Sequence, residues 1–235
     1  MKRFWERAEI EEDSGGYVIR LDGKPMRLPG GEALLIDQRP LAEAIAFEWS
    51  SPPLGAEIKP TLLPLTQLAA TARFRISPAP GDTAASIAAY ARSDLLCYRA
   101  DEPPELVHRQ DEAWQPWLDW AATRYDAALV VTRGIILIDQ SSQALAALAH
   151  AVAARDAHEL AGLGVMVPVM GSLVLGLAVL EGMLEADEAF QLSVLDEAFQ
   201  EERWGRDHDA AAQRERSAQE ARMAARYVML TRDAP

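Results

Sequence analysis

The chain has 235 residues, 49% of them hydrophobic and 25% charged, with a formal net charge of −13 and one cysteine. That composition is globular and excludes a disordered chain, while the acidic surface disfavours nucleic acid and anionic lipid and favours basic partners. A single cysteine excludes an internal disulfide framework, and the opening MKRFWERAEIEED lacks the apolar core of a signal peptide and turns acidic too early for a transit peptide, so a cytoplasmic protein is expected.

In chain order, YVIRLDGKPMRL sets Tyr17, Ile19 and Leu21 on one strand face and turns at Asp22-Gly23, a hairpin signal. EALLI, residues 32–36, reads as a third strand. Pro40 suits the first turn of a helix bearing Leu41, Ala44, Ile45 and Trp49; SSPPLGAEIKP is a loop, and Pro64 opens a second helical stretch through LTQLAATARFRI. SPAPGD, residues 77–82, is the expected linker between a β-containing N-terminal domain (1–78) and a mainly helical domain (79–235).

Beyond it, Asp82 or Thr83 is expected to cap a helix carrying Ile87, Tyr90, Ala91, Asp94 and Leu95. Trp114, Trp117 and Trp120 form a stripe on a helix whose start Pro116 kinks, and ALVVTRGIILI predicts a short hairpin around Gly134. Helices follow over about 142–160, 169–184, 186–204 and 207–230, with a loop through Pro168. Residues 160–180 carry no charge and are long enough to span a bilayer, but internal Gly and Pro and acidic flanks predict a buried segment without membrane insertion. Strands followed by helices make the fold class α+β.

The sequence holds no phosphate loop, H-E-x-x-H or G-x-S-x-G motif, so neither nucleotide nor cofactor is expected. Cys97, between leucines and a tyrosine, reads as an inert structural thiol. The densest cluster of chemistry is LDEAFQEERWGRDHD, residues 195–209, within a segment (181–209) holding ten acids and two arginines. On a helical wheel, Leu192, Leu195 and Phe199 form the core stripe, while Phe190, Val194, Glu197 and Glu201 share a second face. A metal site there would need converging ligands, and His208 lies past a Trp-Gly break, so no metal is expected. Three readings follow for the stretch: a solvated helix face, a protein-contact surface, and a metal- or carboxylate-dependent enzyme site.

The pieces KRFW (2–5), LDGKPMRLP (21–29), LAEAIAFEW (41–49), PLTQLAATA (64–72), SDLLCYRA (93–100), GSLVLGLAV (171–179) and LDEAFQEERWGRD (195–207) run nearly end to end. In number, order and spacing the chain resembles the F-type ATP synthase assembly chaperones of mitochondrial and alphaproteobacterial type, which hold the unassembled α subunit. Leu63, Ala70 and Asp209 depart from that family's usual Met, Asn and Glu, which touches fine contacts only. The resemblance implies a β-containing N-terminal region with helices followed by an orthogonal α-helical bundle. It also implies a non-enzymatic, ATP-independent role, a transient α-subunit partner and a monomer. Glu197 is then the foremost client-contact candidate, with Glu201, Phe190 and Val194 beside it. Trp49, Asp94, Arg99, Trp204 and Asp207 sit in the same motifs, either touching the client or packing around the contact.

Overall fold

The computed structural model describes residues 2–28, 30–134 and 136–232. It is an α+β structure whose chain divides into two compact units, Met1–Pro78 with Arg226–Pro235, and Ala79–Ala225. The expected helical domain of residues 79–235 therefore loses its last ten residues to the first unit.

In the first unit, β1 (Ala8–Asp13), β2 (Gly16–Leu21) and β3 (Lys24–Pro25) form an antiparallel sheet in that order. Asp22 and Gly23 turn the β2–β3 hairpin with φ of 47° and 77°. Two successive left-handed residues match the right-handed strand twist, which is why Asp-Gly suits the turn. The sequence reading missed β1, whose residues are mostly acidic and exposed. EALLI is no full strand: among the described residues it forms isolated bridges, Ile36 to Tyr17 of β2 and Ala33 to Arg27 beyond β3. Pro29, the last residue of LDGKPMRLP, lies outside the described residues. Helix α1 (Arg39–Ser50) begins with Pro40 in its first turn and packs Leu41, Ile45 and Trp49 inward, against β1 and β2 among others. Helix α2 (Pro64–Ala70) then widens into a π-helical segment, Thr71–Ile76.

In the second unit, α3 (Pro80–Ala88) starts before the expected Asp82 or Thr83 cap, because Pro80 supplies a pre-set φ where no donor is needed. Helix α4 (Pro104–Tyr125) begins twelve residues upstream of Pro116 and runs through it. Trp114 is buried and donates its indole N–H to the Leu192 carbonyl at 2.9 Å, while Trp117 and Trp120 are half-buried. The hairpin expected around Gly134 is instead a parallel pairing of β4 (Tyr98–Arg99) with β5 (Thr132–Arg133), and Ile135 lies outside the described residues.

The expected helix over 142–160 is two, α5 (Ser142–Ala153) and α6 (Ala157–Met170), the second opened by a capping box between Asp156 and Glu159. α6 runs through Pro168, where a loop was expected, and stops at Gly171, whose φ of 64° suits glycine. Burial of Leu163, Met166, Val167 and Met170 outweighs the proline penalty. α7 (Leu173–Leu180) is apolar on every side and buried nearly throughout. Among the described residues no helix is long and apolar enough to cross a membrane. α8 (Ala186–Ser193), α9 (Leu195–Trp204) and α10 (His208–Thr231) complete the unit, with the end of α10 grouped with the first unit.

Candidate functional site

The single helix expected over 186–204 is broken. Val194, with φ −110° and ψ 23°, leaves helical geometry between α8 and α9, and the Ser193 hydroxyl bonds back to the Phe190 carbonyl at 2.8 Å. The break removes the common wheel on which Phe190 and Val194 shared a face with Glu197 and Glu201. Phe190 faces inward at 3% exposure and Val194 is half-buried.

Helix α9 is fastened to α4 along one side. Phe199 is buried, and the guanidiniums of Arg109 and Arg203 lie 5.2 and 4.5 Å from its ring centre. Arg109 pairs with Glu202 at 2.7 Å, Arg203 with Glu105 at 2.6 Å, and the Gln110 amide donates to Asp196 at 2.6 Å. Glu201 turns toward α10 and pairs with Arg214. Asp207 caps α10, accepting from the Asp209 and Ala210 N–H groups at 2.9 and 3.2 Å. Much of the acidic stretch is therefore engaged within the chain.

What remains faces out. Glu197 is exposed and makes no hydrogen bond or ion pair among the described residues; Trp204, seven residues on, is 78% exposed. At 100° per residue the two lie about 20° apart on the helix, roughly 10 Å along its axis, and about 160° separate Glu197 from Phe199. Gln200 lies between them, also exposed. The result is a narrow polar–aromatic stripe held on a helix whose other side is locked in place. An exposed Trp beside an unpaired carboxylate is what a protein contact uses: large area at low entropy cost plus a charge for orientation.

The remaining motif residues are turned inward. Asp94, fully buried, accepts from the Leu96 N–H (3.1 Å), the Ser172 hydroxyl (2.8 Å) and the Val174 N–H (3.0 Å), joining the turn before β4 to the start of α7. Burial pushes its carboxyl up, against the pull of these donors. Arg99, 4% exposed, reaches Asp111 at 2.6 Å and Gln115 at 2.9 Å on α4. In the first unit, Trp49 donates to the Thr66 hydroxyl at 2.9 Å, and Thr66 donates to the buried Glu48 carboxylate at 2.6 Å. Asp94 and Arg99 are buried in packing within the second unit, and Trp49 is packed with its indole N–H engaged. Cys97 is buried and its thiol pushed up to about 12, first by burial and then by the Asp94 charge.

No three His, Cys, Asp or Glu side chains converge as a metal-ligand set among the described residues. A structural cluster that the sequence reading overlooked joins α4, α6's approach and α7. Glu181 accepts from Arg124, Tyr125 and Arg155, each within 2.7 Å. Burial raises its carboxyl, yet those three donors outweigh burial and hold it at about 2.

Residues 2–122 match the family model described as the ATP12 chaperone protein. The crystal structure of Atp12 from Paracoccus denitrificans is similar over 98% of both chains, at 41% identity and a TM-score of 0.92, and a mutant of that protein matches equally. The mitochondrial protein atp12 of Schizosaccharomyces pombe is 24% identical over 220 residues, covering 89% of this chain and 75% of the relative. The family model ends within α4, so α8–α10 are covered by these whole-chain likenesses.

Proposed function

Since the chain belongs to the ATP12 chaperone family, we propose that it binds the free α subunit of the F-type ATP synthase and prevents its self-association until the β subunit arrives. An unassembled α subunit exposes a surface meant for β, and such unpaired surfaces aggregate. Holding needs surface complementarity, with no nucleotide, cofactor, metal or catalysis, and we propose a monomer acting in the cytoplasm. One observation carries this reading to particular residues: α9 is anchored through Phe199 and three polar links, yet leaves Glu197 and Trp204 outward. Glu201 and Asp207 border that stripe and support it by pairing with Arg214 and capping α10.

The test is light scattering of purified α subunit diluted from denaturant. An equimolar amount of this chain is expected to suppress scattering and to yield a one-to-one complex that added β subunit dissolves. Scattering unchanged by the chain, or a complex that persists with β in excess, would overturn the proposal.

A further inference from the structure

The first unit contains a groove of about 830 Å³ that the α9 stripe does not involve. Its floor is apolar, built from Trp49, Ile58, Leu63 and Phe74, and its rim carries Arg27 and Arg75. The volume lies in the range of sites that accept a ligand or several side chains of a peptide.

Three features distinguish it from an accidental hollow. Its floor is rigid: Glu48 accepts from the Leu65 N–H (2.7 Å), the Thr66 N–H (3.0 Å) and the Thr66 hydroxyl, and Thr66 in turn accepts from the Trp49 indole. Its wall is the π-helical segment, where the Ser77 N–H reaches back five residues to the Ala72 carbonyl, and Thr71, Phe74 and Arg75 line the groove. π-Helical turns are uncommon and concentrate at functional sites. Its rim, finally, has a sign. Arg75 is exposed and makes no hydrogen bond or ion pair among the described residues, while Arg27 is held by one bond to the Gly31 carbonyl at 2.7 Å. Glu32 is the only acid among the described lining residues. This contrasts with the chain's overall balance: residues 1–78 carry ten basic and eleven acidic groups, net −1, whereas residues 79–235 carry thirteen and twenty-five, net −12.

We infer that this groove takes an extended client segment that places large apolar side chains on the Trp49–Phe74 floor and carboxylates against Arg27 and Arg75. The inference rests on the chaperone reading above and adds to it a second contact of opposite charge preference. The α9 stripe offers a carboxylate to a basic patch; the groove offers guanidiniums to an acidic one. Two modest contacts on one client raise affinity through effective concentration and release readily when one is displaced.

The experiment is fluorescence anisotropy with labelled overlapping 15-residue peptides spanning the ATP synthase α subunit, using the full chain. Three forms are compared: the unaltered chain, Ala70→Trp, which fills the groove, and Arg27→Glu/Arg75→Glu, which reverses the rim at exposed positions. Thermal melting checks each fold, and capture of the whole α subunit is measured in parallel. Peptides combining Leu, Ile or Phe with Asp or Glu are expected to bind, and both variants are expected to weaken them at least tenfold. Binding that survives the rim reversal in a fully folded variant, preference for Lys- or Arg-rich peptides, or no peptide binding would overturn the inference. Peptide binding lost in both variants, with no capture of the whole subunit by the unaltered chain, would keep the groove and remove the α-subunit reading.

Discussion

Asp94 and Glu197 are both carboxylates in family-like motifs, and they do opposite things. Asp94 sits under the start of α7 with three donors converging on it and no surface left. Glu197 stands on the outer side of α9 with none among the described residues. The first acts on stability, since removing it would strand buried donors; the second leaves its charge available to a partner. The lesson is that a motif residue's role follows from where its hydrogen bonds go, and that α9 can present a free carboxylate because its other acids are already paired.

Ranked by expected effect on the fold, Asp94→Ala comes first. It leaves two backbone N–H groups and a hydroxyl buried without an acceptor, a cost of about 3–5 kcal/mol. Urea unfolding is expected to show that loss, and a change under 1 kcal/mol would erase the contrast with Glu197.

Glu181→Gln comes second. The folded carboxyl, held at about 2, lies below its ordinary 4.5. Its contribution is therefore present above pH 4.5 and is lost as pH falls toward 2. Allowing for solvent screening, it is of order 2 kcal/mol at neutral pH. Stability measured against pH is expected to show the variant weaker at pH 7 and converging with the unaltered chain only as pH falls below about 2. Parallel curves at all pH values would mean that the Arg124–Tyr125–Arg155 cluster does not depend on this charge.

Trp204→Ala is expected to change stability by no more than about 0.5 kcal/mol, because its ring is 78% exposed. It is also expected to weaken α-subunit capture more than tenfold, as truncating an aromatic anchor does. Retained capture would shift the contact off the stripe.

How much of this was legible in the sequence differs by region. The β2–β3 turn and the start of α1 were, because Asp-Gly and Pro40 act locally. The α4 start was missed because Pro116 in the sequence suggests a kinked helix start, whereas α4 begins at Pro104 and is held together around Pro116 by the burial of Trp114 and Leu118. The β4–β5 pairing joins residues over thirty positions apart, which no local pattern encodes. At the site, Glu197 was found by excluding it from the core stripe, and that logic survives within α9 alone. Phe190 failed because apolar spacing continues across Val194 while the backbone does not. For Asp94, Arg99, Trp49 and Trp204 the motifs leave client contact and packing both open; only burial and partners separate the first three from Trp204.

The most direct measurement is capture of α subunit and thermal melting on the same preparations of the unaltered chain, Glu197→Lys, and Ala85→Lys, an exposed charge control on α3. Glu197→Lys is expected to melt within about 3 °C of the unaltered chain, because Glu197 is exposed. Its capture is expected to fall more than a hundredfold, about 3 kcal/mol, as like charges meet across the interface, while Ala85→Lys captures normally. Capture by Glu197→Lys equal to that of Ala85→Lys, or lost only alongside a large drop in melting temperature, would contradict the claim that the outer face of α9 grips the client.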